Sequence, residues 1–306
     1  MVEHCGHRHG GLRREPVEPP CGAGGGVNPL PLWPRWPAIR RQVTSAAHLL
    51  LFLDYDGTLV PLADHPSKAH IPLETKRLLQ QLARQPNVYV TLVSGRSLSD
   101  LKRLVRLEDL CYIGNHGLEL EVATLHYVNP VARAKRALFK QISRQLQQAL
   151  VVVPGAWLED KRLTLSVHYR SVPAKDRIRV RNIFYQIVRP HQENRQVRVT
   201  AGKCVFELRP PVRWTKGTML NWVWIRHVAA ARGATVLPVC VGDDATDEDA
   251  FEALKDHGVT IAVGPSTPLT QARYYVETPV EVHRLLQLIL GARIRRSRTP
   301  HGASGI

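Results

Sequence analysis

Two groups of carboxylates in this sequence each follow an apolar run. Asp54 and Asp56 end the run HLLLFLDYDG at 48–57, and five acids fall within residues 243–249, after the run TVLPVCVG at 235–242. Short apolar runs of this kind predict buried strands, and parallel strands present their carboxyl ends to one crevice of an open α/β sheet. A carboxylate placed there can attack phosphorus, and a second one nearby can carry the proton of the leaving alcohol. The two groups therefore predict a shared site for phosphoryl chemistry.

The second group of acids also predicts a metal ion. Five carboxylates within seven residues repel one another unless a cation or a helix N-terminus neutralises them, and oxygen-only ligands favour Mg²⁺. Each group alone has a plainer explanation, because Asp-Gly is common in turns and acids are common at helix starts. Together with Asp54 and Asp56, the acids of 243–249 favour a divalent-metal site that phosphate would bridge.

Two further segments offer contacts to phosphate. Ser94, Gly95 and Arg96 follow the strand-like run NVYVTLV at 87–93, so the serine hydroxyl and nearby backbone N–H groups can hold phosphoryl oxygens. Lys216 precedes a predicted helix and can neutralise developing negative charge. Each of these segments alone is typical of an ordinary loop.

The arrangement of elements predicts where these residues are held. Apolar runs alternate with helical segments over 43–125 and 210–290, which predicts an α/β fold with a Rossmann-like parallel-sheet core. Between them, strand-like runs in adjacent pairs predict an inserted α+β domain at 126–209, here called the cap. Residues 1–42 contain seven Gly and seven Pro and are interpreted as a flexible extension. Residues 291–306 carry four Arg and no acid, and are interpreted as a frayed basic tail.

The charge is concentrated in one of these segments. The formal net charge of the chain is +16, and the cap alone contributes +12, whereas the two core segments contribute −1 and −2. Such an excess fits a phosphorylated substrate or a nucleic acid. The five scattered cysteines have no metal spacing, and neither a signal peptide nor an apolar stretch of about 18 residues is evident. We therefore expect a cytoplasmic protein with no membrane partner.

The order of the motifs resembles that of a known superfamily. DYDGT at 54, SGR at 94, TKG at 215 and GDDATDED at 242 are similar to the four ordered motifs of the haloacid dehalogenase superfamily of phosphotransferases. The paired carboxylates are typical of its Mg²⁺-dependent phosphatases, and the insertion between the second and third motifs corresponds to its large α/β cap. The resemblance thus implies both the fold and the cofactor.

Further segments resemble one family, the trehalose-6-phosphate phosphatases, and the similarity covers about residues 48–290. These segments are GNHGLE at 114, LEDK at 158, VHYR at 167 and GKCVFELRP at 202. The resemblance implies a substrate, trehalose 6-phosphate, that is hydrolysed through an aspartyl-phosphate intermediate. It also implies functional coupling to a trehalose-phosphate synthase.

The resemblance implies a role for each matching residue. The catalytic residues would be Asp54 as nucleophile, Asp56 as general acid and base, and Ser94 and Lys216 as phosphoryl contacts. The metal ligands would be Asp54, the backbone carbonyl of Asp56, Asp243 and Asp247, with Asp244 in a supporting role. The substrate contacts would be Asp54, Tyr55, Asp56, Arg96, Asn115, His116, Glu119, Glu159, Lys161, Lys203 and Glu207. For His168 and Arg170 we prefer a structural role.

Other functions remain open at this stage. The catalytic motifs are shared with phosphatases of other sugar phosphates, such as sucrose phosphate or a glycosyl-phosphoglycerate. A basic nucleic-acid-binding protein is disfavoured, because the expected catalytic residues are present and the cap has no recognisable aromatic and basic binding motif. A regulatory partner of a trehalose-phosphate synthase is the third alternative.

Overall fold

The computed structural model of the chain describes residues 26–63, 66–202, 204–265 and 269–298. Its strands are β1 (Leu30–Pro31), β2 (His48–Asp54), β3 (Val88–Val93), β4 (Cys111–Gly114), β5 (Glu119–Val122), β6 (Leu125–Val128), β7 (Trp157–Asp160), β8 (Leu165–His168), β9 (Arg198–Gly202), β10 (Val205–Arg209), β11 (Val236–Gly242), β12 (Val259–Val263) and β13 (Tyr274–Val276). Its helices are α1 (Leu32–Ser45), α2 (Leu73–Ala83), α3 (Leu98–Val105), α4 (Pro130–Ala134), α5 (Arg136–Leu150), α6 (Arg177–Glu193), α7 (Lys216–Ala230), α8 (Glu248–Leu254) and α9 (Pro279–Arg298).

The larger of the two sheets positions the first carboxylates. Its order is β1-β13-β12-β11-β2-β3-β4-β5-β6, parallel from β1 to β4 and antiparallel from β4 to β6. Leu49, Leu51 and Leu53 of β2 pack in one hydrophobic cluster, and Leu50 and Phe52 pack in another. Burial on both faces explains why the strand is an unbroken apolar run. The predicted parallel α/β core is confirmed, and the carboxyl ends of β2, β3 and β11 meet at one edge.

The cap has its own sheet and its own hydrophobic core. The sheet order is β7-β8-β10-β9, with every pair antiparallel. Phe139 and Leu146 of α5, and Phe184 of α6, pack with Val167 and Leu208 of the sheet in one cluster. The predicted inserted α+β domain is confirmed. The larger sheet extends through β6 to Val128, a few residues past the predicted start of the cap.

Part of the predicted N-terminal extension is a packed helix. Although its sequence is rich in proline, α1 begins at Leu32, and Leu32, Ile39 and Val43 are buried in the core. Pro34 lies in the first turn, where backbone N–H groups have no helical partner, so only Pro37 removes a helical hydrogen bond. The prediction of flexibility is therefore wrong for residues 32–42. Residues 1–25 lie outside the described part of the chain.

The predicted basic tail is also wrong over its first half, because α9 continues to Arg298. Arg293 is only 4% exposed and donates hydrogen bonds to the carbonyls of Val43 (3.2 Å) and Ala46 (2.8 Å) at the end of α1. Arg296 donates to Ala46 as well. Arginine donors commonly satisfy the free carbonyls at a helix C-terminus, so these bases join two helices. No helix among the described residues is long and apolar enough to cross a membrane.

Candidate active site

A buried lysine joins two carboxylates at the carboxyl edge of the larger sheet. Asp54 ends β2, and Lys216 begins α7, where the Thr215 side chain accepts a hydrogen bond from the Thr218 N–H. The Lys216 Nζ lies 2.7 Å from Asp54 Oδ1 and 2.9 Å from Asp247 Oδ1. All three side chains are almost fully buried. The structure thus brings together residues that are 162 and 31 positions apart in sequence.

The carboxylates around Lys216 fit a divalent metal ion. Oxygens of Asp54, Asp243 and Asp247 lie within 4.8 Å of one another. Burial and the neighbouring carboxylates raise the pKa of Asp54 well above its usual range, that of Asp243 to about 7 and that of Asp247 to about 6. These carboxylates carry more negative charge than one lysine neutralises, and hard oxygen ligands suit Mg²⁺. We conclude that the donor set fits the predicted cofactor.

The turn after β2 allows the first and last motifs to approach closely. Gly57 has a φ of +86°, and a Cβ there would lie 2.1 Å from Asp243 Oδ2. Thr58 is fully buried, and its hydroxyl donates to Asp243 Oδ1 at 3.3 Å. A glycine at this position is therefore required by space as well as by conformation.

The GDDATDED loop is ordered by its own acids. Asp247 Oδ2 accepts hydrogen bonds from the N–H groups of Asp243 and Asp244, each at 3.2 Å. Asp244 is half exposed, accepts from the Thr246 N–H at 2.8 Å and lies 3.9 Å from Lys216 Nζ. Asp247 therefore holds both the loop and the lysine, while Asp244 lies at the edge of the cluster.

Asp56 is turned toward Arg96. Arg96 Nε donates to Asp56 Oδ2 at 2.7 Å, and Nη2 donates to Oδ1 at 2.6 Å. Arg96 is buried and also donates to Asp100 Oδ2 at 3.0 Å. Bidentate pairs of this kind fix the orientation of a carboxylate. The structure therefore places the side chain of Asp56 beside Arg96, apart from the three carboxylates of the metal cluster.

The Ser94–Arg96 loop is held by backbone hydrogen bonds. The Asn115 N–H donates to the Arg96 carbonyl at 2.7 Å, and the His116 N–H donates to the Ser94 carbonyl at 3.1 Å. Ser94 is buried, and its Oγ accepts from the Arg96 N–H at 3.1 Å. Because Oγ accepts within the loop, its own proton remains available for a phosphoryl oxygen.

Four of the predicted substrate contacts form a second polar cluster: Glu159, Lys161 and Glu207 of the cap, and His116 of the core. Lys161 Nζ lies 3.8 Å from Glu159 Oε2 and 3.7 Å from Glu207 Oε1. His116 Nε2 lies 3.4 Å from Glu207 Oε1, yet neither ring nitrogen makes a hydrogen bond within the described residues. A Cβ on Gly95 would lie 2.4 Å from His116 Cε1, so this ring packs between the cap residues of the cluster and the Ser94–Arg96 loop.

The ionisation of this second cluster follows from its burial. Burial and the nearby charge of Arg209 lower the pKa of His116 to about 4, so the ring is neutral at neutral pH. Burial alone would raise the pKa of Glu207, but the nearby charges of Arg209 and Lys161 hold it well below its usual range. An ionised carboxylate, an ammonium group and a neutral imidazole together can bind several hydroxyls.

Other predicted substrate contacts are not placed for that role. The Tyr55 ring is buried in the core and its hydroxyl donates to the Ala69 carbonyl at 2.8 Å, so only its backbone can reach a ligand. Asn115 and Glu119 are buried, and their side chains bind each other at 2.6 Å. The substrate contact of Tyr55 therefore stays a prediction for its backbone, and the side chains of Asn115 and Glu119 bind within the protein interior. Lys203 lies outside the described residues.

Comparison with known proteins agrees with this geometry. A family model described as trehalose-phosphatase matches residues 52–279. The chain belongs to this family. The trehalose-phosphate phosphatase of Mycobacterium marinum is 38% identical over 236 residues, which cover 76% of this chain and 59% of that protein. The chain therefore spans about 59% of the length of this relative.

Solved structures place this trehalose-phosphatase family member in the same fold. The C-terminal domain of Candida albicans trehalose-6-phosphate phosphatase has a TM-score of 0.73 at 23% identity, covering 87% of this chain and 99% of that one. A trehalose-6-phosphate phosphatase related protein has a TM-score of 0.68 at 29% identity, covering 81% and 99%. The resemblance recognised from the motifs is confirmed at the level of family and fold.

In this family member two residues hold carboxylates that were predicted to contact the substrate: Arg209, which the sequence did not single out, and His168, for which a structural role was expected. Arg209 donates to Glu207 Oε2 from Nη2 at 2.6 Å and from Nε at 3.1 Å. His168 Nε2 lies 2.8 Å from Glu159 Oε2, and its ring stacks on Trp157 at 4.1 Å. The two-residue spacing of Glu207 and Arg209 was a usable signal, because such residues share one face of a strand. The contact of Glu159 with His168 needed the pairing of two strands.

Proposed function

We propose that this protein hydrolyses trehalose 6-phosphate to trehalose and inorganic phosphate in a Mg²⁺-dependent reaction. The observation that carries the proposal is the meeting of two clusters: buried carboxylates around Lys216, and the acids and bases of the cap. The first cluster suits phosphoryl transfer, and the second suits a polyhydroxylated ligand. Membership of the trehalose-phosphatase family supports the choice of sugar.

In the first half of the proposed reaction, Asp54 is the nucleophile. Lys216 binds Oδ1, so Oδ2 attacks phosphorus. The bond between phosphorus and the 6-oxygen of the sugar breaks, and that oxygen takes a proton from the carboxyl group of Asp56. Asp56 must first turn away from Arg96, to which it is bound here. The products are an aspartyl phosphate and free trehalose.

In the second half, water replaces Asp54 on phosphorus. The carboxylate of Asp56 takes a proton from the attacking water, and the bond between phosphorus and Asp54 breaks. Inorganic phosphate leaves, Asp54 is again a carboxylate, and Asp56 again carries the proton that the next cycle needs. Lys216 and the Ser94 hydroxyl hold phosphoryl oxygens throughout.

The predicted Mg²⁺ would be held by Asp54, Asp243 and Asp247, with the backbone carbonyl of Asp56 as a further ligand. When bound, it would neutralise the carboxylates so that a dianionic phosphate can approach. Residues of the chain also limit water: His116 lies against Gly95, and closure of the cap over the core would exclude bulk solvent.

The proposal is tested by phosphate release from a panel of substrates. The panel contains trehalose 6-phosphate, sucrose 6-phosphate, glucose 6-phosphate and glucosyl-phosphoglycerate, each with Mg²⁺ and with EDTA. We expect the highest kcat/KM with trehalose 6-phosphate and no turnover in EDTA. Preference for another sugar phosphate would overturn the substrate and leave the chemistry standing. Absence of release from every sugar phosphate would instead favour the synthase-regulating or nucleic-acid-binding alternatives.

A further inference from the structure

The turn between β7 and β8 docks onto the core at one asparagine. This turn carries Lys161, and its backbone closes through hydrogen bonds from the Lys161 N–H to the Thr164 carbonyl (3.0 Å) and from the Leu163 N–H to the Lys161 carbonyl (2.8 Å). Asn115 of the core is fully buried, and its Nδ2 donates to the Lys161 carbonyl at 3.1 Å. Thr164, itself 3% exposed, donates from Oγ1 to Asn115 Oδ1 at 2.7 Å.

The direction of each hydrogen bond at this junction follows from chemistry. The carbonyl of Lys161 can only accept, Glu119 Oε1 accepts from the Leu98 N–H, and both bind the same end of the Asn115 side chain. That end must therefore be the NH₂ group, which makes Oδ1 the acceptor and the Thr164 hydroxyl the donor. These two acceptors fix the orientation of the amide, so Oδ1 faces Thr164, and removal of the hydroxyl would take this hydrogen bond from a buried acceptor.

The hydrogen bonds of this junction continue into the Ser94–Arg96 loop, which is proposed to bind phosphate. Glu119 Oε1 also accepts from the Leu98 N–H at 2.6 Å, at the start of α3. The Asn115 N–H donates to the Arg96 carbonyl at 2.7 Å. A continuous series of hydrogen bonds thus runs from Thr164 of the cap to Asn115. From there it continues to the Arg96 carbonyl directly and to the Leu98 N–H through Glu119.

We propose that Thr164 is a positioning residue for sugar-phosphate binding. Its hydrogen bond to the buried Asn115 Oδ1 ties the turn that carries Lys161 to the core, in register with the Ser94–Arg96 loop that is proposed to bind phosphate. The proposal rests on the proposed function, because Lys161 is assigned there to the sugar. Thr164 itself contacts no reacting atom. Its loss should therefore affect binding of the sugar and spare the chemistry at Asp54.

The test compares two variants on two substrates. Thr164→Val keeps the shape of the side chain and removes the donor, and Thr164→Ser keeps the donor. We expect Thr164→Val to raise the KM for trehalose 6-phosphate about tenfold, since one buried hydrogen bond is lost and its acceptor is left unpaired. With p-nitrophenyl phosphate, which has no sugar, kcat/KM should change less than about twofold on the same argument. Thr164→Ser should restore the wild-type KM.

Thr75→Val is the matched control. Thr75 is a buried threonine of α2 whose Oγ1 lies 3.1 Å from His283 Nδ1, a residue that belongs to neither cluster. The Thr75→Val variant loses a comparable hydrogen bond and should leave the KM for trehalose 6-phosphate unchanged. Equal losses on both substrates with Thr164→Val, an unchanged KM, or no rescue by serine would each overturn the proposal.

Two further measurements keep the outcome decisive. If Thr164→Val does not fold, Thr164→Ala is assayed in the same way, and amide hydrogen exchange at Lys161 and Leu163 should be faster than in wild type. Unchanged exchange would overturn the positioning role. If wild type prefers another sugar phosphate, that result alone overturns trehalose 6-phosphate as the proposed substrate. The KM comparison between variants is then made with the preferred substrate.

Discussion

At the scale of single residues, the site depends on one cation shared among several buried acids. Lys216 donates hydrogen bonds to Asp54 and Asp247, while Asp243 accepts a hydrogen bond from Thr58. Burial raises the pKa of all three acids, so the cluster is electrostatically costly without a further cation. Such cost is typical of sites that bind a charged ligand.

Asp54→Asn separates the chemistry from the fold. The amide has the shape of the carboxylate but is a poor nucleophile, so kcat should fall more than about 10³-fold. Because one of several crowded negative charges is removed, the melting temperature in EDTA should not fall. Steady-state phosphate release and thermal unfolding measure the two effects. Residual turnover near the wild-type rate would exclude Asp54 as nucleophile, and Asp109→Asn, at an exposed acid, is the matched control.

His116 predicts a dependence of stability on pH. Its pKa is about 4 in the folded protein, against about 6.5 in an unfolded chain, so between these values the unfolded state binds more protons. Stability from this group is complete above pH 6.5 and is lost as the pH falls, by about 3 kcal/mol at pH 4. His116→Asn should remove this loss, since asparagine tolerates the left-handed φ of +56° at this position.

The measurement is the free energy of unfolding in urea at several pH values. The difference between wild type and His116→Asn should grow as the pH falls from 6.5 to 4, with wild type losing stability relative to the variant. His70→Asn, at an exposed histidine, is the control for the substitution itself. Parallel curves for wild type and His116→Asn would show that the ring is solvated and titrates normally.

At the scale of elements, the sequence predicted the features that depend on local patterns, namely the buried strands and the acids at their ends. The runs that became β2 and β11 are buried on both faces, so their apolar composition and their terminal acids were visible without the fold. The direction of the Tyr55 side chain, which packs in the core although the residue stands between Asp54 and Asp56, was not visible from the sequence. The docking of Asn115 against the turn at Thr164 was not predictable, because it joins residues 49 positions apart in two domains.

Helices α1 and α9 show the same limit of prediction from local sequence. Prolines and arginines gave 32–42 and 291–298 the composition of a flexible segment, yet α1 and α9 pack together on the core. What composition could not show is that the bases of α9 bind the backbone carbonyls at the end of α1. The arginines of α9 were therefore misinterpreted as exposed residues, because the carbonyls that they bind on α1 lie about 250 residues away in sequence.

Arg293→Met tests this junction. The variant keeps much of the apolar stem and removes the donors from buried carbonyls, which should lower the free energy of unfolding by about 2 to 3 kcal/mol. Arg41→Met, at an exposed arginine of α1, should change it by less than about 0.5 kcal/mol. Urea unfolding of the two variants provides the comparison. If they are equally stable, the contacts of Arg293 contribute nothing, and its burial has another explanation.

At the scale of the whole molecule, charge is divided between the domains. The cap segment 126–209 contributes +12, whereas the two core segments contribute −1 and −2. Many of the bases lie on the exposed faces of α5 and α6, while the carboxylates of the site lie at the edge of the core sheet. A dianionic substrate would be attracted by the cap before it meets the acids of the core. The basic cap thus offsets the repulsion that the site itself exerts.

This division predicts that kcat/KM depends on ionic strength. The screening length is about 30 Å at 0.01 M and about 8 Å at 0.15 M, so the outer charges of the cap act on the substrate only at low salt. Between these limits kcat/KM for the sugar phosphate should fall about three- to tenfold at constant Mg²⁺. Reversing three exposed bases of α5, Arg136, Lys140 and Arg144, to Glu should flatten that slope. The same reversal at Arg35, Arg40 and Arg41 of α1 should flatten it less, because these bases belong to the core and not to the cap. Equal slopes in wild type and in both reversal variants would show that the outer charge of the cap has no part in capturing the substrate. Capture would then depend only on the inner cluster of Glu159, Lys161 and Glu207.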